Sequence, residues 1–317
     1  MAEAQEVGPC AIRSENTAFA CFWRKDLFAM SNINPSSPND NTYLIDIESG
    51  AETARLIDQD RLVTEAMQSL FPPQVDPSNI HHVLDIACGP GGWVRDVAFN
   101  HPEIEAVGVD INRTMIDYAR DMAKVRKLDN ATYQVMNALE PLRFPDNAFD
   151  FVNARFLVGF MPPSSWPVLM QECLRITRPG GIIRLTECDD MGTTNSAAYE
   201  KLAVMSIRAM QITGRAFTPE GRSLGLTILL GRFLREAGCK NIQRAAYAID
   251  YSAGEKAHAA VCQDIKVASA LMQTFLTQVG KIDREEFDTL YQQALDDMES
   301  ETFNAVWFIS SAWGEKP

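Results

Sequence analysis

The stretch Val83-Leu84-Asp85-Ile86-Ala87-Cys88-Gly89-Pro90-Gly91-Gly92 limits the possible folds more than any other part of the 317 residues. An apolar segment runs into a glycine-rich turn, and Trp93, Val94, Val97 and Ala98 recur at helical spacing behind it. Strand, glycine turn, helix is the order in which a backbone can approach a nucleotide-like ligand closely. Glycine also takes positive φ there without a steric penalty. Many nucleotide folds share such glycines, so the charge beside them carries more information. A carboxylate at Asp85 repels the pyrophosphate of a dinucleotide and attracts a ligand bearing an ammonium and a sulfonium. This argues against a dinucleotide oxidoreductase. Asp110 follows Gly89 by 21 residues, at the end of the next strand, where a carboxylate can accept hydrogen bonds from a ribose 2′,3′-diol. The alternatives are that Asp85 caps the turn and that Asp110 caps the helix starting at Asn112.

Strands and helices alternate around this turn. Residues 105–110, 131–136 and 149–154 read as strands and 112–127 as a helix. A helix with Trp166, Leu169, Met170, Cys173 and Leu174 leads through the turn Arg178-Pro179-Gly180-Gly181 into a strand at 182–186. Such spacing predicts right-handed crossovers and an α/β, Rossmann-like fold: a mostly parallel sheet with helices on both faces. Ahead of it, a helix from Ser49 places Ala54, Ile57, Val63, Ala66, Met67 and Leu70 on one face and stops at Pro72-Pro73. The last third predicts a helix at about 220–237, a strand at 241–250 and a closing strand at 304–311. Helical insertions at about 194–213 and 254–298 would roof the crevice at the strand ends; the alternative is an enlarged core or a homodimer face. Residues 1–42 read as an N-terminal arm and linker, ending in the turn-forming SNINPSSPNDNT, and 43–317 as a domain with cap insertions at about 189–220 and 252–300.

Composition narrows the partners. A net charge of -13, with no basic stripe, disfavours nucleic acid and anionic membrane surfaces. No apolar run approaches the ~20 residues that span a bilayer, and the six apolar residues at 18–23 fall short of a secretory h-region. Seven widely spaced cysteines without a CxxC pair imply reduced thiols and a cytoplasmic protein, and four histidines without ligand spacing imply no metal site.

Taken together, Val83–Trp93, Gly108-Val109-Asp110, Arg178-Pro179-Gly180-Gly181 and the closing strand resemble class I S-adenosylmethionine-dependent methyltransferases of the small-molecule type. The resemblance implies a seven-stranded sheet with the last strand antiparallel and S-adenosylmethionine as cofactor. By matching positions, Asp85, Ala87, Gly89 and Gly91 would line the methionine half, Asp110 would hold the ribose, and Met115 would pack on the adenine. Where relatives carry an acidic residue after the third strand, this chain has Asn137; its amide oxygen and the Ala138 amide are expected to read the adenine edge. Tyr43 matches an N-terminal segment that folds over the cofactor, or else packs the first helix on the sheet.

Methyl transfer needs alignment and exclusion of water more than it needs a base. The strand ends put Arg155 beside the cofactor and Phe156, Cys188 and Asp189 beside the acceptor, with Tyr199 and Tyr251 supplied by the insertions. Glu187 and the Asp189-Asp190 pair could act as a base or receive a cationic acceptor such as an amine, and His258 could reach down as a base; the alternatives are solvated loop carboxylates and a surface or packing histidine. The expected acceptor is a mid-sized, partly apolar metabolite methylated at oxygen, nitrogen or carbon, and the resemblance suggests specialised metabolism. The competing class is a non-catalytic binding protein using the acidic helix at 283–301, with eight Asp/Glu against one Arg, as a contact face.

Overall fold

The computed structural model describes residues 50–317, all within one compact unit, Thr42–Pro317. Tyr43 and the arm at 1–42 lie outside the described residues. One sheet contains β1 (His82–Ile86), β2 (Glu105–Asp110), β3 (Ala131–Val135), β4 (Phe149–Arg155), β5 (Thr177–Glu187), β6 (Thr193–Thr194), β7 (Lys240–Asp250) and β8 (Ala305–Glu315). The order is β3-β2-β1-β4-β5-β8, with β7 on the outer edge of β8. Strands β1 to β5 pair in parallel, and β8 runs antiparallel between β5 and β7. The expected α/β sheet with an antiparallel last strand is present. The eighth strand is the two-residue β6, which pairs with Val306 and Ala305 further along β8.

The chain order reverses between β1 and β4, so a crevice opens at their carboxyl ends. Helices α2 (Gly92–Asn100) and α3 (Arg113–Arg126) cover one face of the sheet around Trp93, Val97, Ile116 and Phe151. Helices α4 (Trp166–Ile176) and α6 (Leu230–Ala237) cover the other around Leu84, Val152, Trp166 and Leu234. A third core joins α1 (Gly50–Met67), α5 (Ala197–Ile212), α7 (His258–Gln278) and α8 (Arg284–Met298) to the far ends of β7 and β8. No described helix is long and apolar enough to cross a membrane.

Three expectations change. Helix α6 begins at Leu230, not near 220, because Gly221 and Gly225 take φ of 62° and 72° and Asp189 accepts the Leu226 and Thr227 amides, holding this segment as a loop. The Arg178–Gly181 turn is drawn into β5, where Thr177 pairs with Phe149 ahead of a register shift. Helix α1 buries Glu52, Arg55 and Gln59 together with Val63 and Met67, while Ala54 is exposed. Its inward stripe starts polar because Arg55 bridges Glu52, at 2.6 Å, to Asp264 of α7, at 2.8 Å.

The glycine turn is locked by packing. A Cβ on Gly91, which sits at φ 74°, would lie 2.4 Å from the Tyr133 ring and 2.9 Å from Ala119 Cβ. Positive φ and overpacking each cost an L-residue on the order of 1–3 kcal/mol. Gly91→Ala should therefore lower unfolding free energy in urea by about 3 kcal/mol; a change within about 0.5 kcal/mol, the range of an ordinary surface substitution, would contradict this packing.

Candidate active site

A buried polar row crosses the sheet at the crevice. Asp85 of β1, Asn153 of β4 and Arg184 of β5 are register partners on adjacent strands. Asn153 Nδ2 donates to Asp85 Oδ1 at 2.7 Å, and Arg184 Nε donates to Asn153 Oδ1 at 2.8 Å. Arg184 Nη1 donates to the Leu70 carbonyl at 2.9 Å, and the guanidinium lies over the rings of Trp93 and Phe151 at 5.5 and 5.2 Å. Burial pushes Asp85 up to about 6, against the pull of Arg155, and pushes Arg184 down to about 9. Asp85 is 2% exposed, and its Oδ2 takes no hydrogen bond from the described residues.

The turn beyond β1 carries three residues in the left-handed region: Ala87 at φ 56°, Gly89 at 52° and Gly91 at 74°. Ala87 is held there in a conformation that costs an L-residue ~1–2 kcal/mol. Asp110 stitches the turn to β2, its Oδ2 accepting the Gly89 amide at 2.9 Å and its Oδ1 the Asn112 amide at 2.8 Å. Asn112, not Asp110, caps α3, taking the amides of Thr114 and Met115. Burial raises the Asp110 carboxyl, and these amides oppose the rise. A Cβ on Gly89 would lie 3.9 Å from Met115 Sδ and 3.9 Å from Leu56 Cδ1, so Met115 and α1 flank the turn. Asn137 turns its amide oxygen to the Leu139 amide at 2.9 Å and its Nδ2 to Glu140 at 3.3 Å, a local Asx turn in place of the expected outward acceptor. Ala138 packs against the main core.

Arg155, at the end of β4, is ion-paired with Asp60 of α1 and donates to Thr64 Oγ1 at 3.3 Å. Asp60 also lies against Gly92, where any Cβ would collide with its carboxylate. Beyond Arg155 a cavity of about 210 Å³ opens between the ends of β4 and β5 and helices α1, α5 and α7. Phe156, Cys188, Asp189 and Tyr199 line it, joined by Asp190, Leu202, Met210 and Met272. Phe156 sits at φ 55° and stacks on Trp307 at 5.9 Å. A bulky side chain held in the left-handed region beside a cleft marks strain of the kind that persists at functional sites.

The structure places the candidate bases elsewhere. Glu187 is fully buried and does not line the cavity. Its Oε1 accepts the Leu157 amide at 2.7 Å, its Oε2 has no partner among the described residues, and burial raises its carboxyl well above the usual range. It braces the turn after Phe156. His258 sits at the start of α7 with Nδ1 2.9 Å from the Tyr251 carbonyl oxygen and its ring edge-on to Phe303, away from the cavity lining. Tyr251 is core as well, because its hydroxyl is held by the Met191 carbonyl at 3.2 Å.

Residues 83–181 match the family described as Methyltransferase domain. The match spans about a third of the chain. Demethylmenaquinone methyltransferase of Geobacillus kaustophilus is 34% identical over 100 residues, covering 31% of this chain and 42% of that protein. Its counterpart in Listeria welshimeri is 30% identical over 138 residues, covering 43% and 56%. The chain spans about half the length of these relatives. Among solved structures, Haemonchus contortus phosphoethanolamine N-methyltransferase 2 in complex with S-adenosyl-L-methionine overlays with a TM-score of 0.48 at 17% identity, covering 84% of this chain and 57% of that one.

The matched segment contains Asp85, the turn, Asp110, Asn137, Arg155 and Phe156, whereas α1, α5 and α7, which wall the cavity, lie outside it. Sequence reasoning missed Asn153, Arg184, Asp60 and Ile111. The first two were visible as polar residues inside apolar strands, and Ile111 as an apolar residue directly after Asp110 that is left 47% exposed. The pairing of Asp60 with Arg155 spans 95 residues and left no local signal. Because Arg184 holds Asn153, Arg184→Met leaves the buried Asn153 Oδ1 unpaired, whereas the Leu70 carbonyl keeps Trp93 Nε1 at 3.1 Å. Urea denaturation should show a loss of about 3 kcal/mol, the cost of breaking a buried polar network by removing one partner; a variant as stable as the parent would sink the row as a structural element.

Proposed function

We propose that the chain is an S-adenosylmethionine-dependent methyltransferase acting on a mid-sized, mostly apolar small molecule held in the cavity beyond Phe156. One observation carries this reading: the carboxyl end of β2 presents Asp110 at a turn shaped by positive φ, and the adjoining crevice leads into a largely apolar chamber. The residues fit the cofactor. Asp85 keeps an oxygen without a hydrogen bond for an ammonium, Asp110 suits a ribose diol, and Ile111 with Met115 offers an apolar wall for a purine. When bound, the cofactor supplies a methyl group already activated on a sulfonium.

The protein supplies alignment and dryness. Asp85 orients the amino-acid end, held in its rotamer by Asn153. Phe156, fixed by Glu187 behind it and Trp307 beside it, separates the cofactor crevice from the acceptor chamber. Helix α1 closes over the turn through Asp60 and over the chamber through Arg55 and Gln59, which excludes water from both. The largely apolar lining of the cavity supports an apolar acceptor.

Titration with S-adenosylhomocysteine tests the cofactor half. Asp110→Asn should weaken binding roughly 10- to 100-fold, as expected for lost hydrogen bonds to a charged acceptor; unchanged affinity would reject the assignment of Asp110. The pH dependence has a definite sign. Burial raises Asp85 from its ordinary 3.8 to about 6, so its contribution to folding is full below 3.8 and is lost as pH rises through about 6. A bound cation favours the ionised form. Affinity for S-adenosylmethionine should therefore fall as pH drops through about 6, and Asp85→Asn should remove that step; a flat profile in the unmodified protein would contradict a role for Asp85 as counter-ion.

A further inference from the structure

Three carboxylates stand at the carboxyl end of β5, at Glu187, Asp189 and Asp190, and the structure gives each a different task. Glu187 is sealed behind the chamber wall and braces the Leu157 amide. Asp189 lines the chamber, but three hydrogen bonds hold its carboxylate to the loop ahead of α6: Oδ1 takes the amides of Leu226 and Thr227 at 2.7 and 3.1 Å, and Oδ2 takes the Thr227 hydroxyl at 2.6 Å. Asp190 also lines the chamber. Its Oδ1 accepts the Gly192 amide at 2.9 Å, and its Oδ2 takes no hydrogen bond from the described residues. Its backbone is fixed too, since its carbonyl accepts Trp307 Nε1 at 2.8 Å.

The opposite wall does not cancel this charge. Arg55, the cation lining the chamber, is paired with Glu52 and Asp264, and Gln59 donates to Asp264 at 3.2 Å. Among the described residues that line the chamber, Asp190 is therefore the carboxylate with an oxygen left unmatched, in mostly apolar surroundings formed by Leu202, Ile207, Met210 and Met272. In such a setting a partly buried carboxylate attracts a cation or a hydrogen-bond donor far more strongly than in water and repels an anion.

We propose that the chamber selects an acceptor that is apolar over most of its surface and carries one hydrogen-bond-donating head group, a hydroxyl or an ammonium, seated on Asp190 Oδ2. Acceptors with an anionic head are rejected. This assignment rests on the reading of the chamber as the acceptor site. It makes Asp190, which shape alone does not single out from Asp189, the residue that determines specificity. Burial raises the Asp190 carboxyl, with the Gly192 amide opposing, which suits a site whose partner brings a proton.

The test is calorimetric binding of three probes of one skeleton to the full chain, with and without saturating S-adenosylhomocysteine: 2-naphthol, 1-naphthylmethylamine and 2-naphthoate. The hydroxyl and ammonium probes should bind at least tenfold more tightly than the carboxylate. Asp190→Asn keeps an oxygen for the Gly192 amide and should weaken the ammonium probe at least tenfold, with thermal midpoint unchanged. Ala203→Leu, which fills the chamber from α5, should weaken every probe and so locate them there. Equal binding of all three probes, no binding of any, or Asp190→Asn binding the amine as tightly as the parent would overturn the proposal. Failure of S-adenosylhomocysteine to bind, with the probe pattern intact, would instead remove the cofactor assignment and leave the role of Asp190 standing.

Discussion

The row from Asp85 through Asn153 to Arg184 is the constraint on which the crevice depends. Three buried polar side chains stand in register on adjacent strands, and each is hydrogen-bonded to its neighbour across the sheet. A buried carboxylate and a buried guanidinium are both costly to remove from water, and the neutral amide between them lets one compensate the other at a distance. The consequence is directional. Asn153 has one Oδ1 and one Nδ2; Arg184 engages the oxygen, so the amide nitrogen must face Asp85. That fixes the carboxylate rotamer at the point where β1 turns into the glycine loop.

Helix α1 links this constraint to the cap. Its inward stripe is polar at one end and apolar at the other, which an isolated amphipathic helix would not favour. The polar end is held by ion pairs to two elements: Asp60 to Arg155 at the end of β4, and Arg55 to Asp264 on α7. A single helix thereby covers both the turn and the chamber. Removing one partner of such a buried pair is far more damaging than replacing both, so the coupling is strong even where its net stabilisation is small.

Much of this fold was legible in the sequence because its signals are local. The apolar strands, the glycine turn and the helical spacing behind it specify a parallel sheet with a crevice at the switch point, and Asp110 at the end of β2 followed from its spacing. Errors arose where distant segments decide. The helix expected from about 220 is a loop until Leu230 because a carboxylate 37 residues earlier takes its amides, although Gly221 and Gly225 were a visible warning. Glu187 and His258 have the chemistry of bases, but burial behind a turn and a bond to the Tyr251 carbonyl give them structural roles. Asn137 was read as facing a ligand, and local Asx geometry claims its oxygen. Asn153, Arg184 and Asp60 share one cause: their importance comes from pairings across strands or between α1 and the sheet.

The central claim is that one crevice holds the cofactor with its sulfur facing the chamber beyond Phe156. A crystal structure of the protein with S-adenosylhomocysteine tests this most directly. The account predicts ribose hydroxyls on Asp110, the amino group on the Asp85 side of the turn, and the sulfur open to the cavity lined by Phe156 and Asp190. A ligand with its ribose away from Asp110, or with its sulfur walled off from that cavity, would contradict it.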